Sequence, residues 1–178
     1  ATLTNPADTA VTVTLSTGQT ITIAAGATTG TVSIAAPVDD PYVDAGSVSR
    51  TISSATGGNF ESLVIDAAAA TTAVTDTIDV TTATLTATPS VVEGGTITYT
   101  VSLTAPVTGS AVTVTLSGGQ TITIAVGAAS GTATATAPDN VYAGGGSIAN
   151  SIASISGGNY ENLLPNTAPV TTTVTDDI

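Results

Sequence analysis

The feature that most constrains this fold is a long internal repeat. "AVTVTLSTGQTITIAAGATTGTV", starting at Ala10, returns as "AVTVTLSGGQTITIAVGAASGTA" from Ala111, and "SSATGGNFESL" from Ser53 returns as "ASISGGNYENL" from Ala153. "VTDTI" from Val74 returns as "VTDDI" from Val174, and the offset shortens by one residue between Pro37 and Tyr42 relative to Pro138 and Tyr142. A period of about 100 residues is domain-sized, well beyond the roughly 20 to 50 of solenoid repeats, so each copy is expected to own its core. Residues 1–77 read as one copy and residues 78–178 as the other.

Within a copy, apolar and hydroxyl side chains alternate. In "GTITYTVSLT", Ile97, Tyr99, Val101 and Leu103 alternate with Thr96, Thr98, Thr100 and Ser102, the period of two that sends apolar groups to one sheet face. Val112, Val114 and Leu116 continue the pattern, as do Ile122 and Ile124. Turn-forming punctuation separates the runs: "EGG" at Glu93, "SGGQ" at Ser117, "APDN" at Ala137 and "SGGN" at Ser156. Strands are expected near 82–89, 96–104, 111–117, 120–125, 131–137, 147–155 and 170–175. About seven short strands in about 100 residues imply an all-β fold of tandem immunoglobulin-like β-sandwiches. β-branched residues dominate and no apolar stripe has a 3.6-residue period, which argues against helix. The core is expected to consist of Val, Ile, Leu and Ala, with Tyr99 and the Phe60/Tyr160 pair as rare large fillers.

The second copy reads as complete. The first starts partway through, because "ATLT" at Ala1 matches "VSLT" at Val101 and nothing answers "TATLTATPSVVEGGTITYT". Its first two strands are therefore expected to be missing, leaving an open sandwich with unpaired edges. Strand exchange with another copy, or cleavage after folding, would account for that.

Composition excludes several functions. The chain holds thirteen acids, one basic residue (Arg50), and no His, Cys, Met or Trp, for a formal charge of -12. Without imidazole or thiol there is no common zinc or haem ligand set, no Ser–His or Cys nucleophile system, and no enzyme activity is expected. One cation cannot neutralise phosphates, so nucleic acid is excluded as a partner. The aliphatic run around Ala67–Ala70 is far shorter than the roughly 18 to 20 residues that span a bilayer, so no membrane insertion is expected in this segment. No secretory signal is present, and any export signal is expected to lie outside this chain.

The acids gather in turns and where the copies meet. The candidate metal ligands are Asp39, Asp40, Asp76, Asp79, Glu93, Asp139, Asn140, Glu161, Asp176 and Asp177. For one acid in a turn, the ordinary reading is a solvated or turn-capping residue. Grouped carboxylates and an Asn carbonyl are, however, the oxygen-only set that calcium takes in six- to eightfold coordination. Asp76 and Asp79 lie between the last strand of one copy and the first of the next, where Ca2+ would relieve their repulsion. No EF-hand loop or glycine-rich nonapeptide is present. Glu61 and Glu161 make poor glycosidase candidates, since each copy carries just one in that loop and repeated modules rarely need repeated active sites, and "GGNYE" reads more simply as a tight turn. Thr rows such as "TVTVT" suit a flat ice-binding face poorly, because sandwich sheets twist.

"TATPSVVEGGTITYTVSLTAP", "VTVTLSGGQTITIAVGAASGTA", "APVDDPYVDAGSVSRTI", "GGNFESL" and "VTDTID" together resemble the extender repeats of very large bacterial RTX adhesins, of the LapA-like and ice-binding-adhesin type. The resemblance implies type I secretion to the bacterial cell surface, and a tandem rod in which neighbouring repeats of one chain are the partners. It also implies calcium at the junctions, which here correspond to Asp76, Asp79 and the loops near them. "DDPYVDAG" becomes "DNVYAGGG" in the second copy, so the two copies differ in carboxylate number. The competing reading, a repeat that itself binds carbohydrate or a host protein, is disfavoured by the scarcity of aromatics and arginine.

Overall fold

A computed structural model describes residues 1–44, 46–142 and 144–176. The elements are β1 (Val11–Leu15), β2 (Thr20–Ile23), β3 (Gly46–Arg50), β4 (Ile52–Gly57), β5 (Ala70–Val74), β6 (Val80–Ala87), β7 (Ser90–Val92), β8 (Thr96–Leu103), β9 (Val112–Leu116), β10 (Thr121–Ile124), β11 (Ser130–Thr136), β12 (Gly146–Asn150), β13 (Ile152–Ser156), β14 (Asn162–Pro165) and β15 (Val170–Thr175). The described residues contain strands and no helix, the all-β sandwich that the alternation implies. They form two compact units, one of Ala1–Val38 with Asp44–Asp76 and one of Asp39–Val43 with Thr77 onward.

In the second unit one layer runs β11-β8-β6-β14, and the other is built from β10-β9-β13 and β12-β15-β7. β8 is the central strand of its layer, and its Ile97, Tyr99, Val101 and Leu103 are all buried, so the alternation seen in the sequence points inward as expected. Registers place small residues against the one large side chain. Tyr99 stands opposite Ala133 on β11 and Ala87 on β6. Val112, Val114, Leu116, Ile122 and Ile124 close the core from the other layer.

The expected strand at 147–155 is two strands. β12 pairs with β15 and β13 with β9, so the chain changes partner at Ser151. Buried Asn150 fastens that crossing: its Oδ1 accepts from Ser117 Oγ (2.8 Å) and Gly118 N (2.9 Å), and its Nδ2 donates to Gln120 Oε1 (2.9 Å). Two short strands go beyond the expected set. β7 pairs parallel with β15, and β14 pairs parallel with β6 while ending on Pro165, which has no N–H to offer.

Among the described residues, the first unit has the layer made of β2-β1-β4 and β3-β5 and no facing sheet. Only the start of the chain stands where the end of β8 stands in the second unit: Thr2 bridges Thr29, and Leu3 N donates to Thr28 O (2.7 Å). "TVSI", Thr31 to Ile34, alternates like its counterpart in β11 but forms no strand, and no described strand lies beside it. "SLVI", the counterpart of β14, is irregular as well, and Val64 is 84% exposed. The result is a cleft of about 620 Å³ lined by Leu15, Ile21, Val32, Ile34, Ile52 and Val74.

Tyr99 is 2% exposed and is the largest fully buried side chain. Tyr99→Ala should lower the stability of the second unit by about 3 to 5 kcal/mol. Urea unfolding followed by amide NMR should show residues of β1 and β2 unfolding at an unchanged midpoint; a loss spread equally over both units would contradict separate cores.

Candidate functional site

The loops at the two ends of the second unit hold most of the acids picked out above. At one end, Glu93 follows β7 and is only 7% exposed. Its backbone N donates to Thr175 O (2.9 Å), which fastens the loop to the last residue of β15. Asn140 donates from its backbone N to Glu93 Oε2 (3.3 Å) and from Nδ2 to Oε1 (3.1 Å). Gly94 N donates to Pro138 O (3.4 Å), and a Cβ on Gly94 would sit 3.8 Å from a carboxylate oxygen of Asp139. Asp176 Oδ2 accepts from Gly144 N (3.2 Å). Glu93, Asp139, Asn140 and Asp176 thus share one end of the sandwich, as strand order demands; Asp177 lies outside the described residues.

The other end carries a second group. Residues Asp39–Val43, which belong to the first copy by sequence, are part of this unit. Asp39 accepts from Thr77 Oγ1 at both carboxylate oxygens (2.8 and 2.7 Å), and Asp40 Oδ1 caps Tyr42 N (3.0 Å). Asp79 N donates to Glu161 Oε2 (2.7 Å), and Glu161 N donates to Pro41 O (3.1 Å). Asp76 belongs to the first unit, where its Oδ2 accepts from Asp44 N (3.4 Å). That bond matches Gly144 N to Asp176 in the second unit, and it uses the backbone, so the change from Asp44 to Gly144 preserves it.

What holds Asp39–Val43 in place is an aromatic and backbone clasp that the acids alone do not reveal. Tyr42 forms an antiparallel bridge with Tyr160, Val43 N donates to Asn159 O (3.0 Å), and Asn159 Nδ2 donates to Val43 O (3.1 Å). The two rings lie 5.5 Å apart at 30°, a separation that favours tilted packing. Each hydroxyl donates to a backbone carbonyl: Tyr42 to Pro106 O (2.7 Å) and Tyr160 to Ala105 O (2.9 Å). The paired glycines of "GGNYE" explain the loop's shape. Gly157 (φ 95°) and Gly158 (φ 74°) sit in the left-handed region, and a Cβ on Gly158 would strike the Tyr160 ring. The signal available in the sequence was the recurrence of Tyr42 at Tyr142, in a chain with four tyrosines.

The donors at both ends are oxygens, which suits a hard cation and no softer metal. Among the described residues no three acidic side chains form a group able to hold a metal ion. Any cation there would therefore draw on carboxylates together with Asn and backbone carbonyl oxygens.

Burial raises the Tyr160 hydroxyl above its ordinary value of 10.0, and the nearby Tyr42 adds to the effect. A phenol raised on folding contributes stability fully present below about pH 10, and loses it as pH rises through the folded value. Ionisation also removes the donor to Ala105 O. The clasp should therefore open in alkaline solution, read as loss of slow exchange at Val43 N and Glu161 N, and Tyr160→Phe should flatten the part of that dependence due to Tyr160.

No curated protein and no solved structure matches this chain. The LapA domain family matches residues 1–77 and again 79–177. Two matches laid end to end over nearly every residue show that the chain belongs to the LapA domain family, as an adhesin-related β-sandwich module.

Proposed function

We propose that this chain is a structural extender of a bacterial surface adhesin: a tandem rod, stiffened by calcium, that projects a ligand-binding region away from the cell. It works mechanically, outside the cell after type I secretion, and without catalysis. The observation that carries this reading is that Asp39–Val43, from the first copy by sequence, folds into the second unit with Asp39, Asp40, Asp79 and Glu161 in the loops around it. Thirteen acids stand against one arginine, so the chain as a whole carries a large excess of negative charge. Calcium would offset that charge, held by Asp39, Asp40, Asp76, Asp79 and Glu161 near the junction and by Glu93, Asp139, Asn140, Asp176 and Asp177 at the far end. Glu93 is held in place by Asn140 and Asp39 by Thr77, neutral donors that position these two carboxylates without adding positive charge.

Extracellular calcium modules bind at roughly 0.1 to 1 mM. At about 10 mM calcium, such a site adds about 1.4 to 2.7 kcal/mol, a rise of the melting temperature on the order of 5 to 20 °C for a domain of this size. The radius of gyration should also tighten in distribution when calcium replaces a chelator. If neither quantity responds to calcium, the ion-stiffened rod is wrong.

We also propose that the open side of the first unit accepts an extended segment of the kind that β6 to β8 form in the second, which another copy can supply. The support is the second unit itself: Ile152 and Val174 are buried where those strands are present, whereas their counterparts Ile52 and Val74, which line the cleft, are only partly buried. A peptide of residues 78–103 should bind the full chain with one-to-one stoichiometry and protect the amides of Thr31–Ala36 from exchange. The same peptide with Ile97→Thr and Tyr99→Thr should not; equal binding of both, or of neither, would refute strand addition.

A further inference from the structure

The clasp has an unmatched half at the opposite end of the second unit. Val141 is 94% exposed and Tyr142 is 78% exposed, an apolar pair at the tip of a loop in a chain with few aromatics. These residues are the counterparts of Pro41 and Tyr42, which are partly covered where they meet the Asn159–Glu161 loop. The exposed loop is already shaped like the docked one. Tyr142 N donates to Asn140 Oδ1 (2.9 Å), just as Tyr42 N donates to Asp40 Oδ1 (3.0 Å). A turn closed in this way presents its aromatic ring with little conformational entropy left to lose on docking.

The complementary half stands on the first unit. "GGNFE", Gly57 to Glu61, repeats "GGNYE" with Phe60 for Tyr160, and Gly58 underlies the Phe60 ring as Gly158 underlies Tyr160. One difference separates the two loops. Asn59 has φ 57°, with its Nδ2 donating to Asp8 Oδ2 (2.9 Å), whereas Asn159 has no positive φ and its Nδ2 donates to the docked Val43 carbonyl. The loop without a docked segment thus turns its amide inward to Asp8, and the loop with one turns it to the segment.

We propose that Val141–Tyr142 is a docking element for a second copy of this chain, laid against the Gly58–Glu61 loop of that copy as Asp39–Val43 lies against Asn159–Glu161. The reading rests on the chain being a tandem-array module, and adds the contact by which one copy recognises the next. Tyr142 packs on Phe60 and forms the antiparallel bridge, and Asn59 releases Asp8 to donate to the docked backbone. Phe60 has no hydroxyl, so this contact keeps the ring packing and lacks the bond that Tyr160 makes to Ala105. The interface is heterologous, head to tail, and therefore propagates along a line and does not close into a dimer.

So small a contact is weak between free molecules and becomes effective when a tether supplies millimolar effective concentration. The test is amide NMR of the labelled full chain from about 50 μM to about 2 mM, a range that spans that effective concentration, in chelator and then in calcium. The expected result is concentration-dependent shifts confined to Asn140–Tyr142 and Gly58–Glu61, with Asn59 moving most. Tyr142→Ala should weaken the association at least about tenfold without altering the melting curve, given the exposure of Tyr142. Shifts that are absent, lie elsewhere, or persist unchanged in Tyr142→Ala overturn the docking element. If docking fails while calcium still alters melting and size, the extender reading stands alone; if docking holds with no calcium response, the docking element stands and the ion-stiffened rod falls.

Discussion

The backbone ladder on strand β8 is the constraint on which the sandwich depends. β8 bonds β6 on one side and β11 on the other, and β6 in turn carries β14, so three strands of the layer hang from one. The two copies separate this dependence from sequence, because among the described residues of the first unit only the Thr2–Leu3 stretch pairs where β8 pairs in the second. There, Thr31–Ile34 alternates hydroxyl and apolar residues and still forms no strand, and Ser62–Ile65 is irregular as well. Propensity and pattern put a segment in readiness to pair; the strand exists when a neighbour accepts its N–H and C=O groups.

That dependence also sets what could be read from the sequence. Alternation located each strand of the second copy that faces a core, because burial of one face imposes a period of two. β7 and β14 were not legible: each is short, pairs in parallel along one edge, and buries too little to leave a pattern. The break of the 147–155 strand at Ser151 was equally hidden, since changing partners alters the ladder and leaves the alternation almost intact. Its one trace is Asn150, a polar residue at a buried position, which makes sense once its four bonds to Ser117, Gly118, Ser151 and Gln120 are known.

At the site, the acids were legible and their neighbours were not. Carboxylates are scarce enough here to stand out, and strand order alone puts Glu93 at the same end as Asp139 and Asn140. The partner of Tyr160 was missed because Tyr160 does two things at once. It packs against the core of its own unit, which is how an aromatic in a turn ordinarily reads, and it stacks on Tyr42 from a loop distant in sequence. Nothing local in "DDPYV" distinguishes a docked turn from a solvated one, and Asn140 and Asp40 cap the following tyrosine identically whether its ring is covered or bare.

That equivalence separates geometry from charge. The turn before each tyrosine needs only a side-chain oxygen that accepts from the tyrosine N–H, which Asp40 and Asn140 both supply. The bond to Asp76 or Asp176 needs only a backbone N–H, which Asp44 and Gly144 both supply. Replacing two acids therefore leaves the docking turn unchanged and removes two negative charges. On the reading proposed above, successive junctions can differ in how strongly they hold calcium while sharing one clasp, because the clasp rests on aromatic packing and backbone bonds that carry no net charge. The aromatic contact then sets which surfaces meet, and the carboxylate number sets how much their meeting depends on the ion.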